Sequence, residues 1–254
     1  MVDDLVKIFK DTYDKSLSDY KKETDILVTH KTFIYEPQSL FIEKNKKKSD
    51  IKLINCDSVT ACIKLAKDSK KIAVLNFADP ETPGGAVTYG AKAQEECLCR
   101  CSNLYQSLTS ADCKEWFYDY NKRYYYDGKN TDCIIYSEGV TFFKDADYDL
   151  LSIPVTIDVI TCPAPRKNMN KKEALFTYIQ RIKSIFAAAF EHNIEILILG
   201  AWGCGAFNQD PTLIAKSFKK AIKLYGGNFE KIVFAIPRTE YDSNFDVFKS
   251  ELKL

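Results

Sequence analysis

Apolar positions along the chain follow two rhythms. Short apolar runs mark strands at Ile51 to Cys56, Ile72 to Phe77, Cys133 to Tyr136, Val140 to Phe143, Val155 to Cys162, Ile194 to Gly200 and Lys231 to Ile236. Between them the spacing lengthens to three and four residues, the period of a helix face. Leu5, Ile8, Phe9, Tyr13 and Leu17 keep that spacing near the N-terminus, and Val59, Cys62, Ile63 and Ala66 keep it after a cap at Asp57 or Ser58. Leu98, Cys101, Leu104, Tyr105 and Leu108 predict one helix over roughly 94 to 108. Asn170 and Glu173 form a capping box ahead of the stripe Leu175, Ile179, Ile182, Phe186 and Phe190. A further helix has Pro211 at its first position and ends at Gly226-Gly227. Val28 to Tyr35 reads as extended, Glu43 to Asp50 as an exposed charged linker, and 110 to 130, with Tyr124 to Gly128, as a surface excursion. The last strand–helix–strand unit implies a parallel pair, and the alternation implies a layered α/β domain. Residues 1–50 are expected to form an extension on a domain spanning 51–254.

Composition narrows the function classes. A chain of 254 residues can bury one large core, with or without a small lobe. A net charge of +1 argues against broad nucleic-acid binding, which leaves a basic face. The acidic, amphipathic N-terminus is unlike a secretory leader, and no apolar run reaches membrane-spanning length. The expectation is a monomer inside the cell, nuclear or cytoplasmic and not secreted, with no membrane and no specific nucleic acid as partner. Nine cysteines, an odd number, fit reduced thiols better than a disulfide framework. Cys97, Cys99 and Cys101 lack the paired C-x-x-C spacing of zinc sites and are read as small core residues. With only His30 and His192 present, histidine triads and histidine-rich metal sites are set aside. His192 reads as a favourable cation at a helix end. Acid–base chemistry falls to carboxylates, Tyr, Cys or Lys.

Two glycine loops carry the candidate chemistry. The first leaves the strand at Asn76, passes Gly84, Gly85 and Ala86, and enters a helix at Gln94, Glu95 and Glu96. A strand end, a glycine loop and a helix N-terminus together make an anion cradle. Two acids beside such a cradle are electrostatically awkward unless chemistry needs them. The plain alternative is a turn followed by a solvated first helical turn. The second loop, Gly200 to Phe207, follows a central strand and precedes Asp210, where open α/β sheets bind ligands. Gly203 and Gly205 allow close backbone approach to a diphosphate, and Phe207 is placed to cover a ribose or base. Here too the glycines can serve a tight turn, with Trp202 and Phe207 in the core. Neither G-x-x-x-x-G-K-[ST] nor a G-x-G-x-x-G after the first strand is present.

Gly84-Gly85-Ala86, seven residues, then Gln94-Glu95-Glu96 resembles the Gly-Gly-Gly, spacer, Gln-Glu-Glu signature of the microbial-type poly(ADP-ribose) glycohydrolases, a branch of the macrodomain fold. Gly200 to Phe207 with Asp210-Pro211 resembles that family's diphosphate loop, and the likeness extends over nearly the whole chain. Ala86 departs from the third glycine. The resemblance implies a macrodomain-like three-layer α/β/α sandwich with a mixed central sheet and an N-terminal helical extension. It implies hydrolysis of ribose–ribose bonds in poly(ADP-ribose), releasing ADP-ribose, with ADP-ribosylated proteins as partners and no cofactor or metal. Glu96 would be general acid and then base, and Glu95 would hold ribose hydroxyls. Gly84, Gly85 and Ala86 would contact the distal ribose and phosphate, with Asn76 at the substrate and Gln94 either at the substrate or fixing the loop. Gly203, Cys204, Gly205 and Ala206 would wrap the diphosphate, and Phe207 would pack on the ribose. Asp57 is either a helix cap or an adenine-reading acid. The competing readings are a non-catalytic ADP-ribose reader, with Ala86 as the lesion, and a hydrolase of mono-ADP-ribosylated targets.

Overall fold

The computed structural model describes residues 2–37, 39–45, 47–67, 70–124, 130–165 and 169–254. In chain order the elements are α1 (Val2–Leu17), α2 (Lys21–His30), β1 (Thr32–Tyr35), β2 (Asp50–Ile54), α3 (Ser58–Leu65), β3 (Ile72–Phe77), α4 (Gln94–Cys101) and α5 (Leu104–Leu108). There follow α6 (Ala111–Cys113), a π-helical turn (Lys114–Tyr118), α7 (Asp119–Tyr124), β4 (Ile134–Lys144), β5 (Leu150–Cys162), α8 (Lys171–Glu191), β6 (Ile196–Leu199), α9 (Pro211–Tyr225), β7 (Lys231–Ala235) and α10 (Asn244–Leu252).

Among the described residues seven strands form one mixed sheet in the order β1-β4-β5-β3-β6-β7-β2. The run from β5 to β2 is parallel, while β4 lies antiparallel to β5 and β1 antiparallel to β4. Both faces are covered, and side chains alternate between two cores. Ala73, Leu75, Ile160, Leu197, Leu199 and Phe234 point toward α8, α9 and α10. Val74, Val159, Ile196, Ile198 and Val233 point toward α1 to α5. Strands buried on both faces need apolar residues at every position, hence their unbroken runs in the sequence.

Several expectations are corrected. The helix from 94 to 108 breaks at Ser102, which is extended and bridges Phe142. Asn103 Oδ1 accepts from Thr141 N–H at 2.9 Å, so polar side chains out-compete the helical ladder here. Val28 to His30 belong to α2, and only Thr32 onward is extended. The segment from 110 to 124 lies at the surface but is helical, with Phe117, Tyr118 and Asn121 turned into the core, while Tyr125 to Gly128 lie outside the described residues. The strands at 133–136 and 140–143 are one strand, β4, whose register shifts past Gly139 at φ +77°. In α8, Phe190 is exposed and Leu175 and Ile179 half-buried, while Tyr178, Ile185 and Ala187–Ala189 fill the core. In α1, Tyr13 and Leu17 face out, and Thr12 is buried with its hydroxyl donating to Arg100 O at 2.6 Å.

The charged linker is docked. Asn45 N–H donates to Leu224 O at 3.0 Å and Asp50 N–H to Glu230 O at 2.9 Å. His192 stands at the C-terminal end of α8 as expected, but it is a packed ring there: it stacks on Tyr136 at 3.5 Å, Nε2 lies 2.7 Å from Tyr35 Oη, Nδ1 lies 3.5 Å from Glu138 Oε2, and burial pushes its pKa down. No helix among the described residues is long and apolar enough to cross a membrane.

Candidate active site

The parallel strands β3, β6, β7 and β2 end on the same side of the sheet, and the loops that leave them frame a cleft of about 340 Å³. Phe77, Ala201, Pro237 and Asp57, each just at or past a strand end, lie in its wall.

The first glycine loop is folded by its own short-range bonds. Asp79 Oδ1 accepts from the N–H groups of Glu81 (2.8 Å) and Thr82 (2.9 Å), and Gly85 N–H donates to Thr82 O at 3.0 Å. Gly84 and Gly85 then take φ of +68° and +59°, a conformation that disfavours any side chain. A Cβ on Gly84 would lie 2.7 Å from the Tyr105 ring. On Gly85 it would collide with Glu96 Oε1 and lie 3.2 Å from Glu95 Oε2. The loop and the acid pair are therefore in direct contact. Ala86, where the resemblance expects a third glycine, has φ −99° and an exposed side chain. Its methyl needs no unusual backbone.

Glu95 and Glu96 sit in the first turn of α4 and are only 3 % and 6 % exposed. Ala86 N–H donates to Glu96 Oε1 at 3.0 Å, while Oε2 is buried and has no partner among the described residues. Glu95 Oε1 accepts from Asn76 Nδ2 at 3.1 Å and Oε2 from Asp79 N–H at 2.7 Å. Burial nonetheless lifts the Glu95 pKa well above the usual carboxylate range, outweighing those two donors. The Glu96 charge adds to the lift but ranks below burial. Asn76 is itself fully buried, with Oδ1 unpartnered.

Gln94 is a fixing residue. Its Oε1 accepts from Phe77 N–H at 2.9 Å, and its Nε2 donates to Leu75 O at 2.8 Å and Ser58 Oγ at 3.0 Å. All its polar atoms are thus spent tying α4 to β3 and α3.

The second loop is a tight turn anchored by buried Trp202, whose Nε1–H donates to Cys162 O at 3.1 Å. Cys204 N–H donates to Ala201 O, Asn208 N–H to Gly205 O and Gln209 N–H to Gly203 O, at 3.1, 2.8 and 3.0 Å. Gly203, at φ +83°, packs so closely that a Cβ would meet Ala164 Cβ at 3.0 Å. Gly205 faces open space, with nothing within 4 Å of an added Cβ. Asp210 caps α9 by accepting from Thr212 N–H at 2.8 Å, with Pro211 next in line.

Of the residues singled out in the sequence, Gln94, Gly203, Gly205, Ala206 and Phe207 line the cleft. Cys204 does not; burial pushes its thiol up to about 12, so it is an inert residue of the turn. Asn76, Gly84, Gly85, Ala86, Glu95 and Glu96 also lie outside the cleft wall. They form a second cluster, joined to the cleft through Phe77 and Gln94, their neighbours in sequence. Asp57 does two things: both its carboxylate oxygens accept from Thr60, capping α3, and it borders the cleft. Of the three clustered cysteines, Cys99 and Cys101 are core, whereas Cys97 is half-buried and faces the cleft. Sequence reasoning missed Lys92, Thr239, Asp242 and Asn244 in the wall. The polar stretch after the last strand was the signal for the last three, since it leaves the same strand edge as the glycine loops.

The family profile for the catalytic domain of microbial-type PARG matches residues 9–145. Comparison with curated protein sequences returned no match. Among solved structures, the chain is similar to poly(ADP-ribose) glycohydrolase (PARG) from Thermomonospora curvata, with 28% identity, TM-score 0.85, and 98% of this chain and 99% of that one covered. The same enzyme bound to the inhibitor ADP-HPD superposes with TM-score 0.84 at 28% identity, with the same coverage. PARG from Deinococcus radiodurans in complex with ADP-ribose is 30% identical with TM-score 0.82, covering 91% of this chain and 97% of that one.

Proposed function

The chain belongs to the family of microbial-type PARG catalytic domains and is a glycosidase of that class; from that premise we propose which of its residues carry each step. It hydrolyses ribose–ribose bonds of poly(ADP-ribose) and releases ADP-ribose. The observation that supports this assignment best is the asymmetry of Glu96, with one oxygen pinned by Ala86 N–H and the other buried and unpartnered. Protonated at Oε2, Glu96 gives that proton to the leaving ribose hydroxyl oxygen as the C–O bond breaks and positive charge develops at the anomeric carbon. The resulting carboxylate takes a proton from water, whose oxygen bonds to that carbon, and Glu96 is protonated again.

Glu95, held by Asn76 and Asp79, orients the ribose hydroxyls. The turn from Gly203 to Phe207 receives the diphosphate, with Gly205 leaving the needed space. Gly84, Gly85 and Ala86 meet the distal ribose, and Gln94 acts by holding the loop. ADP-ribosylated proteins carry the polymer to a monomeric enzyme inside the cell. In the same reading residues 1–50 are an extension of the 51–254 domain, one that adds β1 to the edge of its sheet beside β4. Phe9 supports it, meeting Tyr105 edge-on at 4.9 Å, the ring that backs Gly84.

The test is Glu96→Gln on automodified polymer, with product analysis on polymer and on mono-modified protein. Release of ADP-ribose should fall at least about 100-fold, the scale of a lost general acid. Calorimetric binding of ADP-ribose should persist. Substantial turnover by Glu96→Gln refutes the assignment, and tight binding by the unaltered protein without polymer loss would make it a reader.

A further inference from the structure

Tyr118 has no role in the steps above, yet its setting is unusual. It closes the π-helical turn Lys114–Tyr118, and single π turns inside helical segments are rare and concentrate at functional sites. The turn carries Tyr118 inward: the residue is 1 % exposed, and its ring stands edge-on to Phe117 at 4.9 Å. Its hydroxyl is buried with no partner among the described residues. Leaving a buried hydroxyl unsatisfied is costly, and phenylalanine would fill the same space without that cost.

Tyr118 packs in one core cluster with Leu98 and Cys99 of α4, and Cys99 follows Glu95 by one helical turn on the same face; after burial, the ionisable groups that bear on the phenol are Glu95, Cys113, Cys99 and Asp79. On Glu95 itself the charges of Glu96 and Asp79 also bear. Asn76, which donates to Glu95, has its own Oδ1 buried and unpartnered. Two buried polar atoms without partners among the described residues, Tyr118 Oη and Asn76 Oδ1, thus belong to residues packed about the start of α4, and buried water is what commonly satisfies such atoms.

We propose that Tyr118 is a positioning residue of the glycohydrolase: its O–H donates, through one water, to the Glu95 carboxylate and fixes it toward the ribose hydroxyls. This rests on the roles given above to Glu95 and Glu96. Burial holds the phenol well above its ordinary range, so it stays a donor wherever the enzyme works.

Tyr118→Phe keeps the ring and removes only the hydroxyl. On automodified polymer it should lower kcat about tenfold with KM nearly unchanged, the scale of one lost hydrogen bond to a charged group. Glu95 then loses a donor to its ionised form, so the acidic limb of the kcat–pH profile should move up by about half a unit or more. A kcat and pH profile equal to those of the unaltered protein, with Tm the same or higher, overturns the inference. Crystals of the unaltered protein supply an independent measurement. An ordered water within about 3 Å of both Tyr118 Oη and Glu95 is expected, and a hydroxyl bonded elsewhere refutes the bridge. A Glu96→Gln control run alongside separates the two ideas. If it is inactive while Tyr118→Phe behaves normally, only the inference on Tyr118 fails. If it is active while the Tyr118→Phe limb still shifts, the acid assignment fails and the Tyr118–Glu95 coupling stands.

Discussion

Replacing Gly85 by alanine exchanges one hydrogen for a methyl group at the point where the glycine loop touches the acid pair. Two penalties follow. The residue sits at φ +59°, where an L side chain costs about 1–2 kcal/mol. The new methyl would also overlap Glu96 Oε1, and the carboxyl must swing away from Ala86 N–H. Leaving that buried oxygen without its donor costs a further 1–3 kcal/mol or so. If the loop does not relax, stability falls by roughly 2–5 kcal/mol. The rate should suffer more, since moving a reacting group by about 1 Å can cost about 100-fold. Release of ADP-ribose from polymer, calorimetric ADP-ribose binding and Tm should be measured together. The built-in control is Gly205→Ala, which meets no atom within 4 Å and should leave Tm unchanged or slightly raised while weakening ADP-ribose binding. A Gly85→Ala protein with unaltered Tm and activity within about threefold would refute the idea that this contact sets the acid's position, because the predicted loss is far larger.

Two further outcomes follow from the site. Glu95 has its pKa raised in the folded state, so across the range between the unfolded value of about 4.5 and the folded one, the native state binds more protons. Its contribution to stability is therefore fully present at low pH and lost as pH rises through the folded pKa. Glu95→Gln should gain Tm over the unaltered protein as pH rises above about 4.5, the gain levelling off once pH passes the folded pKa. With its amide turned over so that Oδ1 rather than Nδ2 faces residue 95, Asn76 can accept the new amide proton; a Tm difference that is flat or shrinks with pH would contradict this. Asp57→Ala should cost about 1 kcal/mol by uncapping α3, a few degrees in Tm. Its ADP-ribose affinity should stay within about threefold, because both carboxylate oxygens are occupied by Thr60; tenfold weaker binding at unchanged Tm would instead make Asp57 the base reader.

Where two-faced burial or a cap decides an element, the sequence announces it. The runs at Ile72 to Phe77 and Ile196 to Leu199, Asp57 and Asp210 as caps, and the Asn170–Glu173 box all stand where their chemistry predicts. The misses share a cause: a distant partner overruled the local preference. Ser102 and Asn103 leave the helix because Phe142 and Thr141 on β4 offer them bonds. Thr12 and Ser16 are buried on α1 because Arg100 O and Gln106 supply polar partners there. Tyr118 was hidden in an aromatic, polar stretch whose inward turn depends on a π-helical register that no periodicity test detects. In the site, both glycine loops and the acid pair were legible as motifs. Only the fold separates Gln94, which fastens, from Glu96, which is left with one oxygen open.

That fastening has a kinetic meaning. A single amide side chain locks the start of α4 to the edge of β3 and to α3, so helix, strand end and acids travel as one rigid piece. On the roles proposed for the two acids, the site stands assembled before any polymer arrives, and the encounter has no movement of α4 against β3 to wait for. Selectivity in such an enzyme comes from what can reach the carboxyls rather than from what can rearrange them.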